Sequence, residues 1–174
     1  GASVTLVSGP VNIEPFIGIN VVNVKSAADM AEAVAARSEA SDIVVMCSAV
    51  ADYTPTHYSA QKVKKSDGEL SIPLARTTDI LHTLGMKKKE GQMLVGFSME
   101  TENLIENSRK KLSKKNADII CANTIADGGD TGFAVDTNQV TLITETEVIT
   151  LPLCTKEETA DLILSHIVEL QKEK

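Results

Sequence analysis

Residues 43–53 read Ile-Val-Val-Met-Cys-Ser-Ala-Val-Ala-Asp-Tyr, and they predict both the type of sheet and the position of a site. Ile43 to Cys47 is an apolar run without alternation, which is typical of a strand buried on both faces of a parallel sheet. Ligands of such sheets bind beyond the carboxyl ends of the strands. Ser48 and Ala49 are small enough to let a ligand approach the backbone there, and Asp52 adds a carboxylate. The stretch therefore predicts a parallel sheet with a binding site at its edge.

A basic segment follows ten residues after Asp52 and predicts the charge of the ligand. Lys62, Lys64 and Lys65 place three amines within four residues. Ammonium groups bind phosphate and carboxylate oxygens, so the pattern favours an anionic ligand. Two alternatives remain open from the residues alone. The lysines also suit a charged edge strand, and Asp52 also suits a turn or a helix cap.

Composition restricts the class of protein. The 174 residues are 43% hydrophobic and 24% charged, which predicts one globular domain over residues 1–174. The net charge of -7 argues against nucleic acid as a partner, and no apolar run is long enough to span a membrane. Cys47, Cys121 and Cys154 lack metal-ligand spacing, so we expect reduced, buried thiols in a cytoplasmic protein.

The order of apolar patterns predicts an α/β fold. Strands at Val4 to Ser8 and at Gly18 to Val24 are followed by a helix opened by the capping box Ser26/Asp29 and by the strand at Ile43, which gives a βαβ unit. The later elements are strands at 93–97 and 118–122, helices opening at Thr78, Thr101 and Thr155 (with Glu158), and a hairpin at 140–143 and 148–151. Together they predict an open, mostly parallel sheet with an antiparallel hairpin at one edge.

An exposed arm is predicted after the basic segment. Leu70, Ile72 and Leu74 alternate with polar residues, which is typical of an antiparallel strand with one apolar face. A lone strand of this kind is not stable in water, so we expect the arm to contact a second subunit.

Six short stretches together carry a family resemblance. They are Thr5–Pro10, Ala49–Tyr53, Lys62–Lys65, Val95–Phe97 with Glu100–Thr101, Lys111 with Lys115, and Ala122–Asn123. In their order and spacing the chain resembles phosphopantothenate-cysteine ligases, also called phosphopantothenoylcysteine synthetases. These enzymes of coenzyme A biosynthesis have a Rossmann-like fold and are often fused in bacteria to a flavin-dependent decarboxylase.

The resemblance implies a two-step ligation. The carboxylate of 4'-phosphopantothenate attacks CTP to give an acyl cytidylate and pyrophosphate, and the amine of L-cysteine then displaces CMP. It also implies Mg²⁺, a homodimer, and a phosphopantothenoylcysteine decarboxylase as a fused or separate partner. Activating a carboxylate in this way brings two anions together, so the site needs cations.

The same resemblance assigns roles to individual residues. Lys62 is the implied catalytic residue and also contacts the nucleotide, while Asp52 accepts hydrogen bonds from the sugar. Thr78-Asp79-Ile80 takes the place of a family motif usually written Asn-Pro-Asp-Ile, with Thr78 where proline is usual. The remaining implied residues are Phe97, Lys111 and Lys115 for the nucleotide, and Ser48, Ala49 and Asn123 for the substrate.

The chain departs from the family at its beginning. In the family, the strand at Val4 normally follows a first strand, a Gly-rich turn and a helix, and no matching residues precede Gly1 here. We expect that first strand to lie in the middle of the sheet, between the strands at Val4 and Ile43.

Two other classes of protein remain open. A dinucleotide-binding oxidoreductase would share the fold, but it needs a Gly-x-Gly-x-x-Gly turn that this sequence lacks. A nucleotide- or dinucleotide-binding Rossmann-like module without ligase activity is the second alternative.

Overall fold

The computed structural model describes residues 1–13, 17–64, 71–124 and 135–173. The chain forms two compact units: unit 1 is Gly1–Val34 with Ala49–Asp79, and unit 2 is Ala35–Ser48 with Ile80–Lys174. Two residues of the predictions, Lys65 and Leu70, lie outside the described residues.

Unit 1 contains a parallel strand pair and the start of a capped helix. β1 (Thr5–Ser8) pairs in parallel with β2 (Asn20–Asn23). Before α1 (Ala27–Ser38), the Ser26 hydroxyl accepts a hydrogen bond from the Asp29 N–H at 3.1 Å, and the Asp29 carboxylate accepts one from the Ser26 N–H at 2.9 Å. These bonds from Ser26 hold the pKa of Asp29 below its usual value. The predicted capping box is confirmed.

Unit 1 also contains the predicted arm. β4 (Tyr53–Pro55) pairs antiparallel with β5 (Leu74–Arg76). Ile72 and Leu74 are 61% and 56% exposed. The antiparallel, exposed character of the arm is therefore confirmed for its described residues, although the strand itself begins only at Leu74. The contact with a second subunit stays a prediction.

Unit 2 is built on one five-stranded sheet. In sheet order its strands are β10 (Val148–Thr150), β9 (Val140–Ile143), β7 (Ile119–Thr124), β6 (Met93–Glu100) and β3 (Ile43–Met46). β3, β6 and β7 run parallel, whereas β9 is antiparallel to β7 and β10 is antiparallel to β9. The predicted α/β fold with an edge hairpin is confirmed. A separate antiparallel pair joins β8 (Thr137–Asn138) to β11 (Cys154–Thr155).

Three helices complete unit 2, and one begins differently from the prediction. They are α2 (Ile80–Lys87), α3 (Leu104–Lys115) and α4 (Lys156–Glu173). The capping box of α4 is confirmed, since Glu158 accepts from the Thr155 N–H at 2.9 Å and donates its own N–H to the Thr155 hydroxyl at 3.2 Å. The predicted cap Thr101 is wrong. Asn103 precedes α3 with φ 51°, a left-handed conformation that asparagine tolerates, and it makes no side-chain capping bond.

Apolar clusters cover both faces of this sheet. One cluster joins Val95 and Ile119 of the central strands to Ile167 of α4. The other joins Ile120 of β7 to Leu112 of α3. The sheet centre is therefore buried on both faces, as the parallel-sheet pattern requires.

β3 departs from that pattern because it lies at the edge of the sheet among the described residues. Its Val45 is 39% exposed, so the expectation that Ile43 to Cys47 is buried on both faces is wrong. Within the described residues β3 bonds to β6 alone and β1 bonds to β2 alone. The additional first strand stays a prediction.

The three cysteines differ in environment. Cys121 is buried, and burial raises the pKa of its thiol to about 12. Cys154 is half-buried, and Cys47 is exposed. The expectation of buried thiols is therefore wrong for Cys47, because β3 ends at Met46 and Cys47 follows it at the sheet edge.

Gly85 lets α2 and α3 approach closely. A Cβ atom on Gly85 would collide with the backbone carbonyl oxygen of Lys115. Directly after Lys115, Asn116 adopts a left-handed conformation and donates its side-chain N–H to the Gly85 carbonyl at 2.8 Å. The close contact and this hydrogen bond together fix the end of α3 against α2.

We expect Gly85→Ala to lower the free energy of unfolding by about 1–3 kcal/mol, because backbone atoms must move to admit the new methyl group. Alanine normally stabilises an exposed helix relative to glycine, so the sign itself is diagnostic. Urea denaturation measures the change. Gly9→Ala is the matched control, since a Cβ there meets nothing within 4 Å. Equal or greater stability of Gly85→Ala would contradict the predicted clash.

Candidate functional site

In unit 1, two chain segments meet at the predicted nucleotide residue Asp52. The Thr77 N–H donates to the Asp52 carbonyl at 2.9 Å, and the Thr77 hydroxyl donates to the Ala51 carbonyl at 2.6 Å. These bonds extend the pairing of β4 with β5 by one step. As a result, exposed Thr78 and Asp79 follow directly after a residue bonded to the Asp52 segment. Residues from two separately predicted motifs are thus brought to one place.

Thr77 was missed in the sequence analysis. Its partners lie 25 and 26 positions earlier, so no local pattern reveals the contact. The only available signal was its position beside the motif-like Thr78. Its hydroxyl matters because it joins the two segments directly beside Asp52.

The basic loop of unit 1 presents an amine to solvent. Lys62 is exposed, and within the described part of the chain it has no hydrogen bond or ion pair. An unpaired ammonium can bind an incoming anion without first breaking another contact. Ala49, predicted for the substrate, is also exposed in this unit.

In unit 2, a buried carboxylate lies at the carboxyl end of β6. The Glu100 side chain is 10% exposed, and its Oε1 accepts from the Lys111 amine at 2.6 Å. Its Oε2 accepts from the Asn107 side-chain N–H at 3.3 Å. Asn107 and Lys111 lie one turn apart on α3, so one face of the helix holds both oxygens. Lys111 itself remains 44% exposed.

Lys115, the other predicted triphosphate contact on α3, lies one turn beyond Lys111. It is the last residue of α3 and is half-buried. Its backbone carbonyl faces Gly85 of α2, which restricts the position of this helix end. The helix therefore carries both predicted amines, and the contact with Gly85 fixes the backbone at the second.

Phe97 and Asn123 lie on the other face of the sheet from Glu100. Side chains alternate along a strand, so Phe97 points away from the face of Glu100 and packs against the cluster that contains Val95. Asn123 pairs in register with Met99, which places it on the face of Phe97. Its buried Oδ1 has no hydrogen-bond partner among the described residues.

Two further predicted residues differ in exposure. Ile80 begins α2 with its side chain 7% exposed, so it contributes its side chain to packing and only its backbone could meet a ligand. Ser48 ends the first segment of unit 2 and is exposed.

A cleft of about 560 Å³ opens at the opposite end of the sheet in unit 2. Its lining includes Lys88, Met93 and Asp118, and none of the predicted site residues. The Lys88 amine donates to the Asp118 carboxylate at 3.1 Å, and both side chains are at least 86% buried. This internal ion pair neutralises the cleft, so it lacks the charge that an anion site needs.

Two other features are absent from the described residues. They contain no group of three or more His, Cys, Asp or Glu side chains that could hold a metal ion. The Mg²⁺ expected from the family resemblance therefore stays a prediction. No helix in the described residues has the length and apolar character needed to cross a membrane.

Comparison with known proteins identifies relatives over nearly the whole chain. The chain is 45% identical over 175 residues to the coenzyme A biosynthesis bifunctional protein CoaBC of Bacillus subtilis (strain 168), covering 99% of the chain and 43% of that protein. It is 44% identical over 172 residues to a cysteine/cysteine sulfinic acid decarboxylase from an unknown prokaryotic organism, covering 98% of the chain and 48% of that protein. The chain thus spans less than half the length of these relatives.

A solved structure and a family model agree with these relatives. The crystal structure of the C-terminal domain of the coenzyme A biosynthesis bifunctional protein CoaBC has a TM-score of 0.82 and 40% sequence identity. The match covers 100% of this chain and 77% of that one. The model of the DNA/pantothenate metabolism flavoprotein C-terminal domain matches residues 1–170. Because this match takes in nearly every residue, the chain belongs to the family of DNA/pantothenate metabolism flavoprotein C-terminal domains.

Proposed function

We propose that the chain is a ligase of coenzyme A biosynthesis that joins 4'-phosphopantothenate to L-cysteine with CTP. The observation that carries the proposal is the Glu100-bound amine of Lys111 at the carboxyl end of β6, one turn from Lys115 on the same helix. Two amines so placed suit a polyphosphate. The 45% identity to CoaBC supports the choice of pathway.

The proposed reaction transfers the cytidylyl group and then the acyl group. A carboxylate oxygen of 4'-phosphopantothenate attacks the α-phosphorus of CTP, and pyrophosphate leaves. The nitrogen of cysteine then attacks the acyl carbon, CMP leaves, and the nitrogen loses a proton as the amide forms. Mg²⁺, when bound, would neutralise phosphate oxygens.

The chain's own residues would bind, orient and neutralise. The exposed amine of Lys62 would balance the charge that builds up as the carboxylate approaches the phosphate. Asp52 would accept hydrogen bonds from sugar hydroxyls, in a loop held in place by Thr77. Lys111 and Lys115 would bind the triphosphate.

Three assignments to the whole protein belong to the same proposal. They are a homodimer, a cytoplasmic location, and a phosphopantothenoylcysteine decarboxylase as a fused or separate partner. The relative CoaBC supports the decarboxylase partner, because that protein is named bifunctional and the chain spans only 43% of it. The rest of CoaBC is long enough for a second activity.

The ligand preference separates this proposal from a dinucleotide-binding module. We expect CTP with Mg²⁺ to bind more tightly than NAD, because the amines suit a triphosphate and the Gly-x-Gly-x-x-Gly turn is absent from the sequence. Isothermal calorimetry with both ligands makes the comparison. Tighter binding of NAD would overturn the ligase proposal.

We expect Lys62→Gln to reduce kcat by about 100-fold or more, the size of effect seen when one charge-stabilising donor is removed. The melting temperature should stay unchanged, because an exposed and unpaired lysine adds little stability. Steady-state kinetics on the full gene product measures the effect. Lys87→Gln, at the exposed end of α2, is the control for loss of a surface charge. Near-normal turnover by Lys62→Gln would assign the catalytic role elsewhere.

We expect Thr77→Val to raise the KM for CTP by about three- to tenfold, the equivalent of one ordinary hydrogen bond. The reason is that the variant loses the hydrogen bond from the Thr77 hydroxyl to the Ala51 carbonyl, which holds Thr78 beside Asp52. Thr56→Val is matched to it, since the Thr56 hydroxyl donates to the Pro73 carbonyl at 3.3 Å in the same arm. Equal effects of the two variants would show that Thr77 has no special role.

A further inference from the structure

Glu100 carries a buried carboxylate at the carboxyl end of β6 in unit 2. Its side chain is 10% exposed, whereas Glu106, which pairs with Lys110 at 2.7 Å on α3, is 67% exposed. The two pairs therefore share a helix and a chemistry but differ in burial. Burying a carboxylate is unfavourable unless every lone pair finds a donor.

The donors that compensate Glu100 both come from α3. Lys111 donates to one carboxylate oxygen at 2.6 Å, and Asn107 donates to the other at 3.3 Å. The Asn107 amide also donates to the Glu102 carbonyl at 3.0 Å, which fixes its orientation. Each oxygen of the carboxylate is thus held by its own donor from α3.

A fixed carboxylate restricts the long lysine side chain. Ordering a free lysine side chain costs up to about 2 kcal/mol in conformational entropy. That cost lowers the affinity for any ligand that must order the lysine when it binds. Lys111 is already ordered by Glu100. One of its three N–H groups points to Glu100, and the 44% exposure of the side chain leaves the amine accessible to a ligand.

We infer that Glu100 is a positioning residue that pre-orders Lys111 for the triphosphate of the nucleotide. The inference rests on the proposed function, because it takes Lys111 as a triphosphate contact. Glu100 itself is an anion and would not touch the phosphates.

Glu100 orders Lys111, which favours anion binding, but its negative charge also neutralises Lys111, which disfavours anion binding. The direction of the change in affinity on removing the carboxylate therefore shows which effect is larger. If neutralising Lys111 were the main consequence of the ion pair, removing the carboxylate would free the ammonium charge and tighten anion binding. If ordering Lys111 dominates, removing the carboxylate weakens anion binding. The two effects therefore predict opposite changes in affinity for one substitution.

The test uses calorimetry of the full gene product with Mg²⁺ and either CTP or inorganic triphosphate. The variants are Glu100→Gln, Lys111→Ala and their combination, with Glu106→Gln as the matched control on α3. We expect Glu100→Gln to raise the Kd for both ligands by about three- to tenfold, and Glu106→Gln to leave both Kd values unchanged. The loss of affinity in the double variant should be smaller than the sum of the two single losses, because the ordering effect of Glu100 acts through Lys111.

Kinetics adds a readout that a purely structural role would not move. The KM for CTP should rise in Glu100→Gln while the KM for L-cysteine stays constant. If Glu100→Gln fails to fold, Asn107→Ala replaces it, since that variant loosens the carboxylate without removing its charge. Asn107→Ala should raise the Kd for both ligands by about two- to threefold. This effect is smaller than the loss of a full hydrogen bond to a charged group.

The outcomes distinguish the inference from the proposed function. If the wild-type protein binds CTP and Glu100→Gln binds it equally or more tightly, the positioning role is overturned and the ligase proposal stands. Additive losses in the double variant would also overturn the positioning role. If the wild-type protein binds neither CTP nor inorganic triphosphate, the proposed function and the inference both fail.

Discussion

The hydrogen bonding of β6 to a parallel strand on each side is the constraint on which unit 2 depends. Gly96 pairs in register with Met46 of β3 and with Ile120 of β7. Since side chains alternate, this register decides which residues face each helix layer, and a slip of one residue would exchange the two faces. At Gly96 the fit is close, because a Cβ there would lie 2.5 Å from a methyl group of Leu81 on α2.

The same alternation sorts the chemistry at the end of β6. Phe97 faces the apolar cluster, whereas Ser98 and Glu100 face α3. Ser98 lies 3.3 Å from the hydroxyl of fully buried Ser108, so the strand and helix meet through polar groups just where the sheet ends.

Patterns confined to a few residues were predicted well. The capping boxes at Ser26 and Thr155 join residues three positions apart, and the central strands follow from uninterrupted apolar runs. The cap at Thr101 was not predicted correctly, because the start of α3 depends on a left-handed turn at Asn103 that no residue pattern specified. The burial of β3 was also misjudged, since a strand's apolar run does not reveal its place in the sheet order.

The class of fold, the parallel strands, the family and the charge expected of a ligand could all be predicted from the residues alone, because each follows from short patterns or from composition. Only the tertiary structure decided that Thr77 ties the Asp52 segment in place and that Glu100 holds Lys111. These contacts join residues 26 and 11 positions apart. Contacts between residues so far apart in the sequence depend on the path of the chain. That path is set by the packing of the whole unit, so the two contacting residues alone do not predict it.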